Sequence, residues 1–214
     1  KLVGKLVDKL ETLGLREKTL VIFTGDNGTY VKIVSNLNGV NYPGGKGTTR
    51  DNGTHVPLVA SWPGTAPAGK VSNALVDFSD ILPTLAETAG AELPAGELYE
   101  GVSLVPLLRG KPFNGRESIY CWYHRNGLRG KESQHSRNQD FKLYSTGRYF
   151  NVAGDLLEKK PINVSSLTGS GLTAYNALKI ALDTQLEATR KATETLKKRG
   201  FGGAAKKQGK NKNA

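Results

Sequence analysis

The sequence predicts an α/β fold carrying a small antiparallel β subdomain and a closing helix, and three observations predict it. An amphipathic helical pattern opens the chain and runs into a short apolar strand that stops at a polar turn, which is the order of an α/β protein. From about residue 113 the texture changes to aromatic and polar alternation, and near the end Tyr175, Leu178, Leu182 and Leu186 recur at helical spacing.

Leu2, Val3, Leu6, Val7, Leu10 and Leu13 lie on one helical face that ends near Gly14 and needs a sheet to cover it. Thr19 to Thr24 is a continuous apolar run, as expected of a strand buried on both faces, and it stops at Gly25-Asp26-Asn27-Gly28. Residues 36–55 are rich in Gly, Asn, Thr and Lys and read as a long loop shaping a site. A second buried strand is expected from Val56 to Trp62, with Pro57 at its first positions, and another from Asn73 to Val76. Phe78 to Ala89 reads as a helix with Ser79 or Asp80 near its N-cap, Pro83 in its first turn and Gly90 closing it.

Three antiparallel strands are expected at 118–123, 141–144 and 148–152. The closing helix should pack back on the body, and the Gly- and Lys-rich end should be disordered. The chain therefore divides into an α/β part at 1–112, a small sheet at 113–165, a closing helix region at 166–200 and a basic tail at 201–214.

The formal charge of +11 over 214 residues looks like a nucleic-acid signal until it is located. Residues 189–214 hold nine Lys or Arg against one Glu, so most of the excess sits at the end of the chain rather than on a folded face, which argues against nucleic acid as a partner. A single cysteine, Cys121, excludes an internal disulfide and reads as a small buried hydrophobe. No apolar run is long enough for a membrane span, and Lys1 opens without a signal-peptide pattern. With no Met in the chain, a processed product or a piece of a longer reading frame is expected.

Asp26 and Asn27 follow a strand, where open α/β sheets bind ligands. A carboxylate and an amide oxygen suit a hard cation, Ca2+ or Mg2+, although Asp-Asn-Gly is also an ordinary turn. Lys46, flanked by Gly44, Gly45 and Gly47, suits a sulfate or phosphate, or is a solvated lysine. His55 reads as a loop residue with local hydrogen bonds, Asp51 either orients Lys46 or caps the loop, and His124 is a candidate for the substrate's leaving group.

Thr24-Gly25-Asp26-Asn27-Gly28, then Gly45-Lys46-Gly47-Thr48-Thr49-Arg50-Asp51-Asn52-Gly53-Thr54-His55-Val56-Pro57, then Ser61-Trp62-Pro63-Gly64 resemble the second half of the sulfatase family, within the alkaline-phosphatase-like superfamily. Asp77 to Leu85, Glu100 to Gly110 and Asp140 to Tyr144 agree in order, so the resemblance covers about residues 1–160. It implies that 1–112 is the C-terminal part of a catalytic domain, that Asp26 and Asn27 are two of the ligands of Ca2+, and that Lys46 binds the sulfate of a small-molecule or glycan sulfate ester. It also implies a formylglycine nucleophile made from a C/S-x-P-x-R motif, and a periplasmic or secreted location.

Here the chain departs from the family pattern. Cys121 is followed by Trp122-Tyr123-His124, and Ser61-Trp62-Pro63-Gly64-Thr65 lacks the arginine, so the nucleophile is expected upstream and the chain alone is expected to be inactive, with apolar surface exposed. Two rivals stand beside this reading. One is a phosphate or phosphonate ester hydrolase of the same superfamily, and the other is a non-catalytic protein that binds polyanions through its basic tail.

Overall fold

A computed structural model describes residues 1–95, 99–124 and 132–199. The basic tail expected at 201–214 lies outside the described residues. The first helix, α1 (Leu2–Thr12), forms as its spacing predicts, but none of its residues is buried, and Leu2 is 77% exposed. The sheet expected to cover it does not do so.

The apolar runs form β1 (Val21–Thr24) and β4 (Leu58–Ser61), with Pro57 just before β4. They pair antiparallel, Val21 opposite Ser61 and Thr24 opposite Leu58. Burial on both faces does not hold: Phe23 is 49% and Val59 57% exposed, because no layer lies over that side of the two-stranded sheet. The expected loop at 36–55 contains a hairpin, β2 (Val34–Leu37) and β3 (Val40–Pro43), followed by the turn α2 (Asp51–Thr54). Asn38 and Gly39 both hold positive φ, the backbone of a two-residue turn that matches strand twist.

Asn73 to Val76 is not a strand. No strand pairs along it, and Gln139 Nε2 instead donates to the Asn73 carbonyl at 2.5 Å. The next helix forms where it is expected, with Asp80 at the N-cap of its α-helical part and a 3-10 turn over Phe78–Asp80 leading into it. Asp77 accepts from the Ser79 amide while its own amide donates to Asp80, a capping box that opens a short 3-10 turn leading into α3 (Ile81–Ala89). Gly90 closes α3 in the left-handed conformation. Buried Asp80 also accepts from the Val102 amide and from Arg116, which docks the segment running into α4 (Val105–Leu108) against α3.

The second half is a four-stranded antiparallel sheet in chain order: β5 (Ile119–Tyr123), β6 (Ser133–Arg137), β7 (Phe141–Tyr144) and β8 (Tyr149–Asn151). Three strands were expected; β6 is the additional one. The long helix α5 (Gly169–Lys198) lies across this sheet. Leu143 and Tyr149 meet Leu178 and Leu182 there in one buried cluster. Strand alternation sends Lys142, Tyr144 and Phe150 to the opposite face. That face covers the loop after β3, because Lys142 and Tyr144 both reach the Thr49 carbonyl.

Candidate functional site

β1 delivers Gly25-Asp26-Asn27-Gly28 at its carboxyl end. Two backbone bonds hold that turn against the following loops. The Gly28 amide donates to the Gly53 carbonyl at 2.9 Å, and the Lys46 amide donates to the Thr29 carbonyl at 3.0 Å. The approach is too close for side chains: a Cβ on Gly28 would lie 1.9 Å from the Asn52 carbonyl oxygen, and one on Gly45 would lie 2.3 Å from Asn52 Oδ1. Asn52 is itself buried, with its amide nitrogen donating to the Pro43 carbonyl at 2.9 Å. The turn after β1 and the loop from Gly44 to Gly53 thus meet through glycine.

Asp26, Asn27 and Lys46 line one broad cleft of about 2020 Å³. Asp26 and Lys46 are exposed in it and Asn27 is half-buried. His124 is not in that cleft. It lines a smaller cavity of about 450 Å³ with Gly47, Thr48 and Arg148, and the two cavities share Gly47, Thr48 and Tyr123. So the structure brings three of the sequence-predicted site residues together and sets the fourth across a thin wall formed by the Lys46 loop.

Asp51 does not bond Lys46. Its carboxylate takes Arg137 Nη1 at 2.5 Å on Oδ1 and His55 Nδ1 at 3.2 Å on Oδ2. Burial pushes its carboxyl up, but the His55 hydrogen bond and the Arg137 charge outweigh that and leave it below the usual carboxylate value. The same bond raises the His55 imidazolium above its ordinary value, so His55 has the local structural role its position suggests. Cys121 is half-buried on the wall of the cleft rather than fully buried, and burial pushes its thiol up, away from reactivity.

Sequence reasoning missed a buried polar group behind the Lys46 loop. Lys142 is fully buried; its Nζ donates to the Thr49 carbonyl at 2.8 Å and to Glu158 Oε1 at 2.6 Å. Tyr144 donates to Glu158 Oε2 at 2.5 Å. Burial pushes the Lys142 ammonium down, and the Glu158 charge opposes the shift. The only signal in the sequence was the alternation of Phe141-Lys142-Leu143-Tyr144, which puts a lysine on the same face as a tyrosine.

The donor set tests which ions fit. A carboxylate and an amide oxygen suit Ca2+ or Mg2+ in kind. They are too few to complete a site, and among the described residues no group of three or more His, Cys, Asp or Glu is arranged to hold a metal.

The sulfatase family model matches residues 1–91. Human arylsulfatase D is 33% identical over 162 residues, covering 72% of this chain and 27% of that protein. Human arylsulfatase A is 43% identical over 122 residues, covering 56% and 24%. The chain belongs to the sulfatase family. It spans about a quarter of the length of these curated relatives. The PsFucS1 sulfatase of Pseudoalteromonas sp. superposes with a TM-score of 0.64 at 27% identity, covering 85% of this chain and 40% of that one. BT4656, solved in complex with its substrate D-glucosamine-2-N,6-O-disulfate, superposes at 0.63 with 25% identity, covering 88% and 37%. The fold of this sulfatase chain is therefore a C-terminal portion of the alkaline-phosphatase-like fold. Among the described residues no helix is long and apolar enough to cross a membrane.

Proposed function

We propose that this sulfatase chain provides half of the metal site and the sulfate-binding lysine of an enzyme that hydrolyses sulfate esters. The observation that carries the reading is the convergence of Asp26, Asn27 and Lys46 on one cleft from two separate loops.

In this reading Asp26 and Asn27 hold Ca2+, or Mg2+ in its place, together with ligands from beyond these 214 residues. When bound, the cation withdraws electron density from the sulfate oxygens. Lys46 sets its ammonium against the same sulfate and offsets the negative charge that grows as the ester bond breaks. Its backbone bond to Thr29 fixes its loop beside the metal-binding turn, so less motion has to be frozen when substrate arrives. His124 lines the adjoining cavity on the other side of Gly47 and Thr48, and in this reading it meets the alcohol of an ester that spans both cavities. The family nucleophile is formylglycine, and no C/S-x-P-x-R motif occurs in these residues. The ester is that of a small aryl alcohol or a sugar, in line with what the named relatives act on.

The test is sulfate release from an aryl sulfate by the native full-length polypeptide and by its variants. Asp26→Ala and Lys46→Ala should each lower kcat/KM by at least about a hundredfold, and the isolated 214-residue chain should release none. Full activity in Lys46→Ala would remove the lysine from the mechanism, and turnover by the isolated chain above a blank would overturn its dependence on an outside nucleophile.

A further inference from the structure

We propose that Lys142, Glu158 and Tyr144 are positioning residues for Lys46, and that the small antiparallel sheet is the fixture that sets where the anion-binding loop stands. The inference rests on the reading of Lys46 as the sulfate-binding cation and extends it to residues that do not line the main cleft.

The bonds converge on one atom. Lys142 Nζ donates to the Thr49 carbonyl, and the Tyr144 hydroxyl lies 3.3 Å from the same oxygen. Glu158 joins the two donors from behind, one carboxylate oxygen on each. Thr49 is also tied to the sheet through its own hydroxyl, 2.9 Å from Ser133 Oγ. Two residues on, Arg137 holds Asp51. The loop is therefore gripped at positions 49 and 51, downstream of Lys46, by side chains from β6 and β7.

General stability does not call for this arrangement. A buried ion pair is often matched or exceeded in stability by apolar side chains of similar volume, because both charges give up their water. Glu158, moreover, holds φ at +52°, in the left-handed region that non-glycine residues rarely adopt. Strain of that kind persists where the surroundings over-determine it, and here both carboxylate oxygens are fixed by partners that touch Thr49. The group is placed to transmit the rigidity of the sheet and α5 into the loop: Lys142 lies between Phe141 and Leu143, which pack toward the helix.

The experiment uses the full-length native polypeptide with inorganic sulfate as the probe. The double variant Lys142→Met/Glu158→Gln removes both charges together and so avoids stranding either one. Calorimetric titration should show sulfate affinity weakened roughly tenfold. Amide exchange at Lys46 and Thr48 should quicken while β7 and β8 keep their protection, and the Thr49 carbonyl 13C resonance should move. A purely structural role would change the unfolding midpoint and leave affinity and loop exchange as they were; that result overturns the proposal. If the double variant does not fold, Tyr144→Phe removes one hydroxyl and is read in the same way on a smaller scale. Lys46→Ala separates the two ideas. Undiminished sulfate binding in that variant removes the anion role of Lys46, whereas loop exchange in the double variant still decides whether the sheet fixes the loop.

Discussion

Arg137 and Asp51 stand 86 positions apart in the chain and meet at 2.5 Å between Nη1 and Oδ1. The pair joins the small sheet to the short turn α2 that precedes β4, with the Asp51 side chain 5% and the Arg137 side chain 14% exposed. The other nitrogens of the guanidinium donate to the backbone of Asn138 and Gln139, which leaves Asp51 as its one charged partner among the described residues. Arg137→Met should destabilise the protein by about 3 kcal/mol, because it leaves a buried carboxylate with His55 as its remaining charged partner among the described residues. The double variant Arg137→Met/Asp51→Asn should recover most of that loss. Urea unfolding of the four proteins measures the coupling, and additive losses would mean that the two residues contribute independently.

Two histidines push the pH dependence in opposite directions. Burial, then the charges of Lys142 and Arg137, hold His135 well below its ordinary value of 6.5, so it is neutral in the folded chain. Below that value the unfolded chain takes up a proton that the folded chain refuses, and stability falls as pH drops. His55 is raised above 6.5 by its bond to Asp51. Its contribution is complete below 6.5 and is lost as pH rises through the folded value. Stability should therefore peak near the ordinary histidine value. Asp51, whose carboxyl is depressed below 3.8, adds a further loss only as pH falls from there through its folded value. Unfolding midpoints measured from about pH 5 to 8 should lose their acid-side slope in His135→Gln and their alkaline-side slope in His55→Gln. Unchanged slopes in both variants would contradict the assignment.

What could be read from the sequence followed the range of the forces involved. The helical repeat at Tyr175, Leu178 and Leu182 was legible because one face is buried against one sheet, and Gly90 because a helix end needs a left-handed residue. Asn38-Gly39 is a strong hairpin signal that composition masked, since it sits at the start of a stretch, 36–55, rich in Gly, Asn, Thr and Lys. β6 reads Ser-Gln-His-Ser-Arg and carries no apolar pattern, yet Gln134, His135 and Ser136 are buried. They lie between β5 and β7, and only tertiary pairing makes that strand. The cleft residues Asp26, Asn27 and Lys46 stood out by type and order. Lys142 did not, because a buried lysine is justified only by partners at positions 49 and 158, which no local window contains.

Gly28 makes a sharper test of how the turn carrying Asp26 and Asn27 is held. Any Cβ there meets the Asn52 carbonyl, a backbone atom that cannot swing aside. Gly28→Ala should cost about 2 kcal/mol as the two loops separate. It should also break the Gly28 amide bond to Gly53, so protection of that amide against exchange should be lost first. A variant of unchanged stability, with the Gly28 amide still protected, would show that the two segments do not pack as described.

The uncovered side of the first half predicts behaviour in solution. Leu6 is 65%, Phe23 49% and Val59 57% exposed, although such residues are the usual material of a core. Patches of this kind bind other apolar surfaces. The isolated 214-residue chain should therefore bind an apolar dye and self-associate, and Leu6→Glu with Val59→Thr should reduce both. Because neither side chain is buried in this fold, the double substitution should change unfolding free energy by no more than about 0.5 kcal/mol. Light scattering and denaturation on the same samples read the two effects separately. A large loss of stability would mean that the folded chain already buries these residues against itself, in an arrangement other than the one described, whereas restored solubility at constant stability would mark this side as a surface waiting for a further layer.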